Sequence, residues 1–570
     1  MTSSPALEQV VAADSPLAAA NSSPRMSAVE WGYLAAFLLV NLVVRFAVLG
    51  INQAEYTDGI LQLTVFEKAA GLYPPLYGAL AWLVEAAAGS RETAGRVVSA
   101  AAGSLALIPV YLLTLMLARP WAARFAALFY TFCPLVLRWS IRVMADSLFL
   151  CLSSFAILCM LRAFDQKSSR AKADAWLGLA SVLAAASALT RYQGAFLLIL
   201  LAIEIGVFAW RWRALPWRTL LASCLWAALP LWIYVNGFVH QTQFTHRTTG
   251  QWVSTLLAWL NLAESFVLIF PYYVGWPIFL FALVGLMRVD WHQPLRRHFL
   301  LLWVVWGAML LVLQSVFGSF QYRYLMPVFP AVIALAGAGA TYLEWKWRAR
   351  TRAWIFSALL TVALAYLMLF SAAVLIFQRQ AFGDQRAAAQ FIRNRVPRSA
   401  TVISNERYGN FLSLGCVKLT YWSGRPVEPL FEYLPARPED PLPKVIPAGS
   451  YVVLGNAYGG DDFCDYLAAI LTYYYHMRYT ASFDTTVYPL MDDIMVNPMF
   501  NQNPLGWVLR YTPQLFSTHV YVVDGVRTLD ELEELRRRQM PVPAAPAPGQ
   551  RYRSARPADT RPTTSTAEVP

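Results

Sequence analysis

Two aspartates and four arginines stand at the ends of apolar runs, where a membrane-like chain has least use for charge. Asp58 follows the first run, with Glu55 three residues before it. Asp146 closes the stretch Arg138-Trp-Ser-Ile-Arg142-Val-Met-Ala-Asp146. Arg191 lies in Leu189-Thr-Arg191-Tyr-Gln-Gly194, and Arg323 in Phe320-Gln-Tyr-Arg323-Tyr-Leu-Met-Pro327. An ionisable side chain near hydrocarbon is costly unless it is paired or solvated in a cavity. A carboxylate there can accept a proton from a reacting hydroxyl, and a guanidinium fork matches phosphate oxygens. Together they suit an anionic lipid headgroup and a reaction that needs a base. Simpler readings stand beside this one. A single arginine serves as a snorkelling anchor, and either aspartate suits a helix N-cap. Anchoring explains one arginine better than four, because all four share a side with Asp58 and Asp146.

The elements that must position these residues follow from composition. The chain has 570 residues, 57% hydrophobic and 14% charged, with a mean hydropathy of +0.43. A soluble domain carries about 25% charged residues. Runs of about 20 apolar residues, enough to cross a bilayer, recur at 31–50, 96–118, 125–140, 147–164, 175–190, 195–210, 219–239, 265–287, 299–318, 325–343 and 354–377. The stretch 75–88 is shorter, follows Pro74-Pro75 and holds Glu85. It reads as an interfacial helix, with Glu67 and Lys68 on the wet side. The 21 Trp and 28 Tyr suit the two membrane interfaces. The net charge of +12 does not point to nucleic acid, because the basic residues fall between apolar runs rather than on one soluble face.

Eleven spans alternate the loops between two sides. One set holds 15 Lys and Arg; the other, over more residues, holds 8. The positive-inside rule then puts the N-terminus in the cytoplasm and everything after Gln378 outside. Residues 1–30 are Ala-, Ser- and Pro-rich and read as disordered rather than as a signal peptide. Trp31 to Gly50 reads as a permanent helix. From about 384 to 540, strand-like runs at Thr401, Tyr451 and Val520 alternate with helical stretches at Gln385–Arg395 and Phe463–His476, which predicts a small α/β domain. Leu529–Arg538 reads as a polar helix, and the Pro-rich stretch from 541 as disordered. Cys133, Cys151, Cys159 and Cys224 serve as small apolar residues in spans, while Cys416 and Cys464 could pair on an oxidising side. His240, His246 and Glu264 read as loop residues.

These features together resemble the GT-C class of membrane glycosyltransferases, in particular the protein O-mannosyltransferase and aminoarabinose-transferase-like group, over about residues 31–345. The marks are Asp58 early in the first exterior loop, Tyr73-Pro-Pro-Leu-Tyr77 later in it, Arg142-Val-Met-Ala-Asp146, Leu189-Thr-Arg-Tyr-Gln-Gly194 and Tyr322-Arg-Tyr-Leu-Met-Pro327. The resemblance implies transfer of a sugar from a polyprenyl-phosphate carrier to a glycan, lipid or protein acceptor at the exterior face. It implies Asp58 as the base, and Asp146 as the acid that orients the acceptor or binds a metal. Glu55, Arg138, Arg142, Arg191, Tyr322 and Arg323 would bind substrate. The family often carries two adjacent acids; here Gly59 follows Asp58 and Glu55 lies upstream. Fixed guanidiniums or a divalent cation would stabilise the leaving phosphate, and a single displacement would invert the anomeric centre.

The resulting expectation is a polytopic α-helical membrane protein of a plasma or inner membrane. Its domains are a cytoplasmic N-terminus (1–30), a GT-C-like transmembrane domain (31–377), an exterior α/β domain (378–540) and a Pro-rich tail (541–570). A transporter or flippase for an anionic lipid or solute is the rival reading; it predicts ionisable groups near mid-span and a repeated architecture. A ligand-binding receptor leaves Asp58 and Asp146 unexplained.

Overall fold

A computed structural model of the protein describes residues 26–67, 73–165, 168–238, 269–316, 322–348, 353–406, 416–435, 442–458, 461–488 and 513–537. Lys68, His240, His246, Glu264, residues 265–268 of the eighth predicted span and the Pro-rich tail lie outside the described residues, as do positions 1–25.

Ser27 starts the first helix, α1 (Ala28–Ala47), by accepting the Glu30 amide on its hydroxyl. Leu39, Val43 and Phe46 are exposed on it, as a lipid-facing surface requires. Two short helices follow, α2 (Thr57–Leu63) and α3 (Leu76–Ala88). Then α4 (Arg91–Leu105) runs almost without a break into α5 (Leu107–Leu117). The next predicted span is bent by 58°: α6 (Pro120–Thr131) and α7 (Pro134–Ser140) meet at Cys133-Pro134, where proline has no amide to continue the ladder. Long helices α8 (Asp146–Phe164), α9 (Arg170–Ala188), α10 (Phe196–Trp212) and α11 (Trp217–Phe238) come next. They are followed by α12 (Trp276–Arg288), α13 (Pro294–Val316), α14 (Phe329–Arg348) and α15 (Ala353–Gln378).

Among the described residues, seven helices are long and apolar enough to cross a membrane, or eight if the bent pair counts as one span. Arg170–Ala188, Trp217–Phe238 and Trp276–Arg288 occupy the other three predicted intervals without meeting that standard. The short apolar helix at 76–88 lies where an interfacial helix was expected.

Helix α14 is the hub of the bundle. Its run Ala336 to Ala340 is small and buried. A Cβ at Gly339 would overlap the Phe281 carbonyl oxygen, one at Gly285 the Leu335 carbonyl, and one at Gly337 the Ala122 carbonyl. So α14 meets α12 on one flank and α6 on another, backbone against backbone. Small residues permit this approach where no hydrophobic effect drives helices together.

Two units divide the chain: Met1–Gly383 with Thr485–Leu515, and Asp384–Asp484 with Phe516–Pro570. The second holds a five-stranded sheet with β1 (Val402–Ser404), β2 (Glu428–Pro429), β3 (Tyr451–Gly455), β4 (Tyr475–Val487) and β5 (Gln514–Val526), in the order β2-β1-β3-β5-β4. The β1 strand pairs parallel with β2 and β3, while β3 and β5 are antiparallel, with Val453 opposite Val520. Helices α16 (Gly383–Arg395), α17 (Val417–Ser423), α18 (Asp461–Tyr474) and α19 (Leu529–Arg537) accompany it. Its core gathers Ile403, Val452, Leu454, Leu467, Leu471 and Val523. The predicted helix 463–476 ends at Tyr474, and a strand starts at the next residue. Cys416 and Cys464 are separate buried thiols rather than a pair. Cys416 Sγ lies 3.6 Å from the Ser404 carbonyl oxygen, and Cys464 Sγ lies 3.7 Å from Asn405 Nδ2.

Candidate active site

Asp58 is the second residue of α2, and Tyr56, not Asp58, is its N-cap. Asp146 is the first residue of α8, and Ala145 is the N-cap. Neither carboxylate therefore caps its helix with its side chain. Each is committed to an arginine from a distant segment instead. Asp58 Oδ2 accepts from Arg323 Nη2 at 2.5 Å, and Asp58 Oδ1 from the Tyr73 hydroxyl at 3.0 Å. Asp146 Oδ1 accepts from Arg191 Nη1 at 2.6 Å, while its buried Oδ2 has no hydrogen-bond partner among the described residues.

Local sequence explains how the arginines arrive. Gly194 lets the 3-10 turn Tyr192–Ala195 fold back on the end of α9, since a Cβ there would overlap the Ser187 and Ala188 backbone. That turn presents Arg191. Arg323 sits in the 3-10 segment Tyr322–Val328 that leads into α14. The two guanidiniums face one ring: Arg191 Cζ lies 4.6 Å and Arg323 Cζ 5.3 Å from the Tyr324 centroid. Asp58, Arg323, Tyr324, Arg191 and Asp146 thus form one continuous polar network, drawn from four separate stretches of sequence.

The other proposed ligands have different settings. Arg138 is buried; its Nη2 donates to the Tyr56 hydroxyl at 3.1 Å, and its guanidinium lies over Trp139. The same Trp139 lies 5.0 Å from Arg323 Cζ, so Arg138 adjoins the network through aromatic rings. Arg142 donates to two main-chain carbonyls, Ala54 at 3.4 Å and Gln378 at 2.9 Å. It ties the first loop to the end of α15. Glu55 is fully buried. Its Oε1 accepts from Arg96 Nε at 2.6 Å and its Oε2 from the Val143 amide at 3.2 Å. Both its oxygens are used within the protein. Tyr322 is buried and stacks on Tyr273, with centroids 4.3 Å apart.

Tyr73, Arg96, Trp139 and Tyr324 belong to this region but were not singled out as site residues. Tyr73, Trp139 and Tyr324 lie inside the quoted motifs, and for Arg96 the available signal is its place at the start of an apolar run. A divalent cation takes several carboxylate or carbonyl oxygens. Here one oxygen of each aspartate is held by a guanidinium, and among the described residues no group of three or more His, Cys, Asp or Glu could hold a metal. The donor set of the described residues does not fit a metal, and no step is assigned to one.

The family described as dolichyl-phosphate-mannose-protein mannosyltransferase matches residues 73–235. No curated protein matches the chain. Among solved structures, ArnT from Cupriavidus metallidurans in the apo state is 16% identical, with a TM-score of 0.53 over 80% of this chain and 97% of that one. The same protein bound to undecaprenyl phosphate gives a TM-score of 0.51, at 16% identity, over 79% and 96%. The Archaeoglobus fulgidus oligosaccharyltransferase in complex with Zn and sulfate gives 0.49, at 16% identity, over 79% and 72%. The chain carries the GT-C fold of membrane glycosyltransferases.

Proposed function

We propose that this protein moves a sugar from a polyprenyl-phosphate carrier to an acceptor hydroxyl at the exterior membrane face. The observation that carries the reading is the paired network, Asp58 with Arg323 and Asp146 with Arg191, joined through Tyr324. The same overall fold in ArnT holds undecaprenyl phosphate, which supports the choice of carrier. Arginines supply phosphate ligands and carboxylates supply a base, and this network holds both.

Arg191 and Arg323 bind the carrier phosphate, with Arg138 beside them. A phosphate competes with a carboxylate for a guanidinium, so arrival of the carrier draws Arg323 away from Asp58 and frees its oxygen. Asp58 then takes the acceptor proton as the hydroxyl oxygen attacks the anomeric carbon. The bond from that carbon to the phosphate oxygen breaks, and the guanidiniums stabilise the charge left on the phosphate. One displacement inverts the anomeric centre. Asp146 orients the acceptor through its second oxygen. The domain arrangement that goes with this reading is eleven spans over 31–377, N-terminus inside, and the α/β domain 378–540 outside, in a plasma or inner membrane.

The test is turnover in lipid nanodiscs. The protein, supplied with polyprenyl-phosphate-linked sugars and a mixture of glycan, lipid and peptide acceptors, should release free polyprenyl phosphate. Failure to bind undecaprenyl phosphate by native mass spectrometry, together with movement of a lipid across the bilayer, would replace this reading with the flippase.

A further inference from the structure

Three polar residues line α2 and the turn before it: Glu55, Asp58 and Gln62, at positions 0, +3 and +7. Asp58 and Gln62, four residues apart on α2, share one side of the helix, while Glu55 precedes the helix, next to the extended Tyr56. The middle one reaches Arg323. The outer two reach the main chain of the second loop. The Val143 amide donates to Glu55 Oε2 at 3.2 Å, and the Ala145 amide donates to Gln62 Oε1 at 2.9 Å. Both acceptors are buried. Two further bonds hold the same backbone: Asn52 Nδ2 donates to the Ile141 carbonyl at 3.2 Å, and Ser99 Oγ to the Met144 carbonyl at 2.9 Å. Between the two anchors, Gly59 lies so close that a Cβ would overlap the Val143 carbonyl oxygen.

We infer that Gln62 and Glu55 are positioning residues that fix the separation of Asp58 from Asp146 by holding alternate amides of the loop that leads into α8. Ala145 is the N-cap of α8 and Asp146 its first residue. A shift of the Ala145 amide therefore moves the carboxylate with it. Arg96 keeps Glu55 in place, donating to it at 2.6 Å and to the Asn52 carbonyl at 2.9 Å. A buried amide left without its acceptor is costly, so losing Gln62 lets the loop seek another position rather than remain where it is. Misplacement by about 1 Å at a reacting centre costs on the order of a hundredfold in rate.

This inference rests on the glycosyl-transfer reading, and two measurements on the full-length protein in nanodiscs separate them. The first is amide exchange of the 141–148 peptide by mass spectrometry, which needs no activity. Gln62→Leu, matched in reach but without an acceptor, should lose protection there, and Gln62→Glu, which keeps an oxygen in place, should restore it. Unchanged protection in Gln62→Leu overturns the inference whatever the enzyme does. The second is the split between kcat and KM. Gln62→Leu should lower kcat about 10- to 100-fold with KM for the carrier lipid unchanged, and Gln62→Glu should recover it. A loss confined to KM, or no loss, overturns the positioning role. If the Gln62 variants do not fold, Gly59→Ala, which removes no polar group, should show the same split, and unaltered kcat there overturns it. A wild-type protein that transfers no sugar but loses protection in Gln62→Leu fails the functional reading alone.

Discussion

Asp58 and Arg323 are 265 positions apart in sequence and 2.5 Å apart in space. The ion pair joins the loop after the first helix to the segment that opens α14. Replacing Asp58 with Asn keeps the size and the contact with Tyr73 but removes the proton acceptor. Transfer should fall by about 10²–10⁴, the range for loss of a general base, while loss of the ion pair with buried Arg323 lowers the melting temperature but leaves the protein folded at the assay temperature. Full activity in Asp58→Asn would remove Asp58 from the base role.

The arginines should separate into two groups. Arg191→Lys and Arg323→Lys keep a charge beside each aspartate but lose the fork. A hydrogen bond to a charged group is worth about 1.5–3 kcal/mol, so binding of undecaprenyl phosphate should weaken by about ten- to a hundredfold while the fold holds. Arg142→Lys breaks the bridges to the Ala54 and Gln378 carbonyls, so it should lower the melting temperature more than the binding. Titration by native mass spectrometry and a thermal melt distinguish the two classes. Carrier binding lost in Arg142→Lys and kept in the other two would reverse the assignment.

The orientation of the chain is open to a direct measurement. A reporter fused after Gln378 should be active only in the exterior compartment, and one fused before Trp31 only in the cytoplasm. Cytoplasmic activity after Gln378 would reject the arrangement of eleven spans.

In the C-terminal unit, Lys418 is fully buried, and burial pushes its ammonium down to about 7, opposed by Glu406 and Asp384. Glu406 accepts the Lys418 and Leu419 amides at 2.8 and 3.0 Å, so it keeps main-chain partners if the lysine is lost. An unfolded lysine holds its proton up to about 10.4. Between about 7 and that value the unfolded chain therefore binds more protons than the folded one, and stability rises with pH. The melting temperature of the full-length protein should climb from pH 7 towards pH 10, and Lys418→Met should flatten that climb. Parallel curves for the two proteins would show that Lys418 is not the source.

The sequence marked the odd residues but could not pair them. Asp58 and Arg323 were each conspicuous against an apolar background, yet only the packing of α14 reveals that they meet. Glu55 was conspicuous for the same reason and was read as a ligand. Its charge is taken by Arg96, which looked like the ordinary basic start of an apolar run. Helices were legible because hydrophobic runs of span length have few alternative meanings. The strand Tyr475–Val487 was not. It follows α18 with no intervening loop, and it lies at the end of the sheet, where much of both faces is exposed and no buried alternation appears in the sequence.

The glycine contacts of α14 couple two distant parts of the chain. Its first turn carries on from the segment holding Arg323 and Tyr324, and about three turns further along Gly339 rests on the Phe281 backbone. A rigid helix works as an axle: what fixes its rotation at one end fixes the heading of the side chains at the other. One methyl group added at 339 would act as a wedge, turning or lifting the axle and swinging Arg323 off Asp58 without touching either. Random mutagenesis scored by turnover should therefore recover inactive variants at Gly285, Gly337 and Gly339, residues with no chemistry of their own.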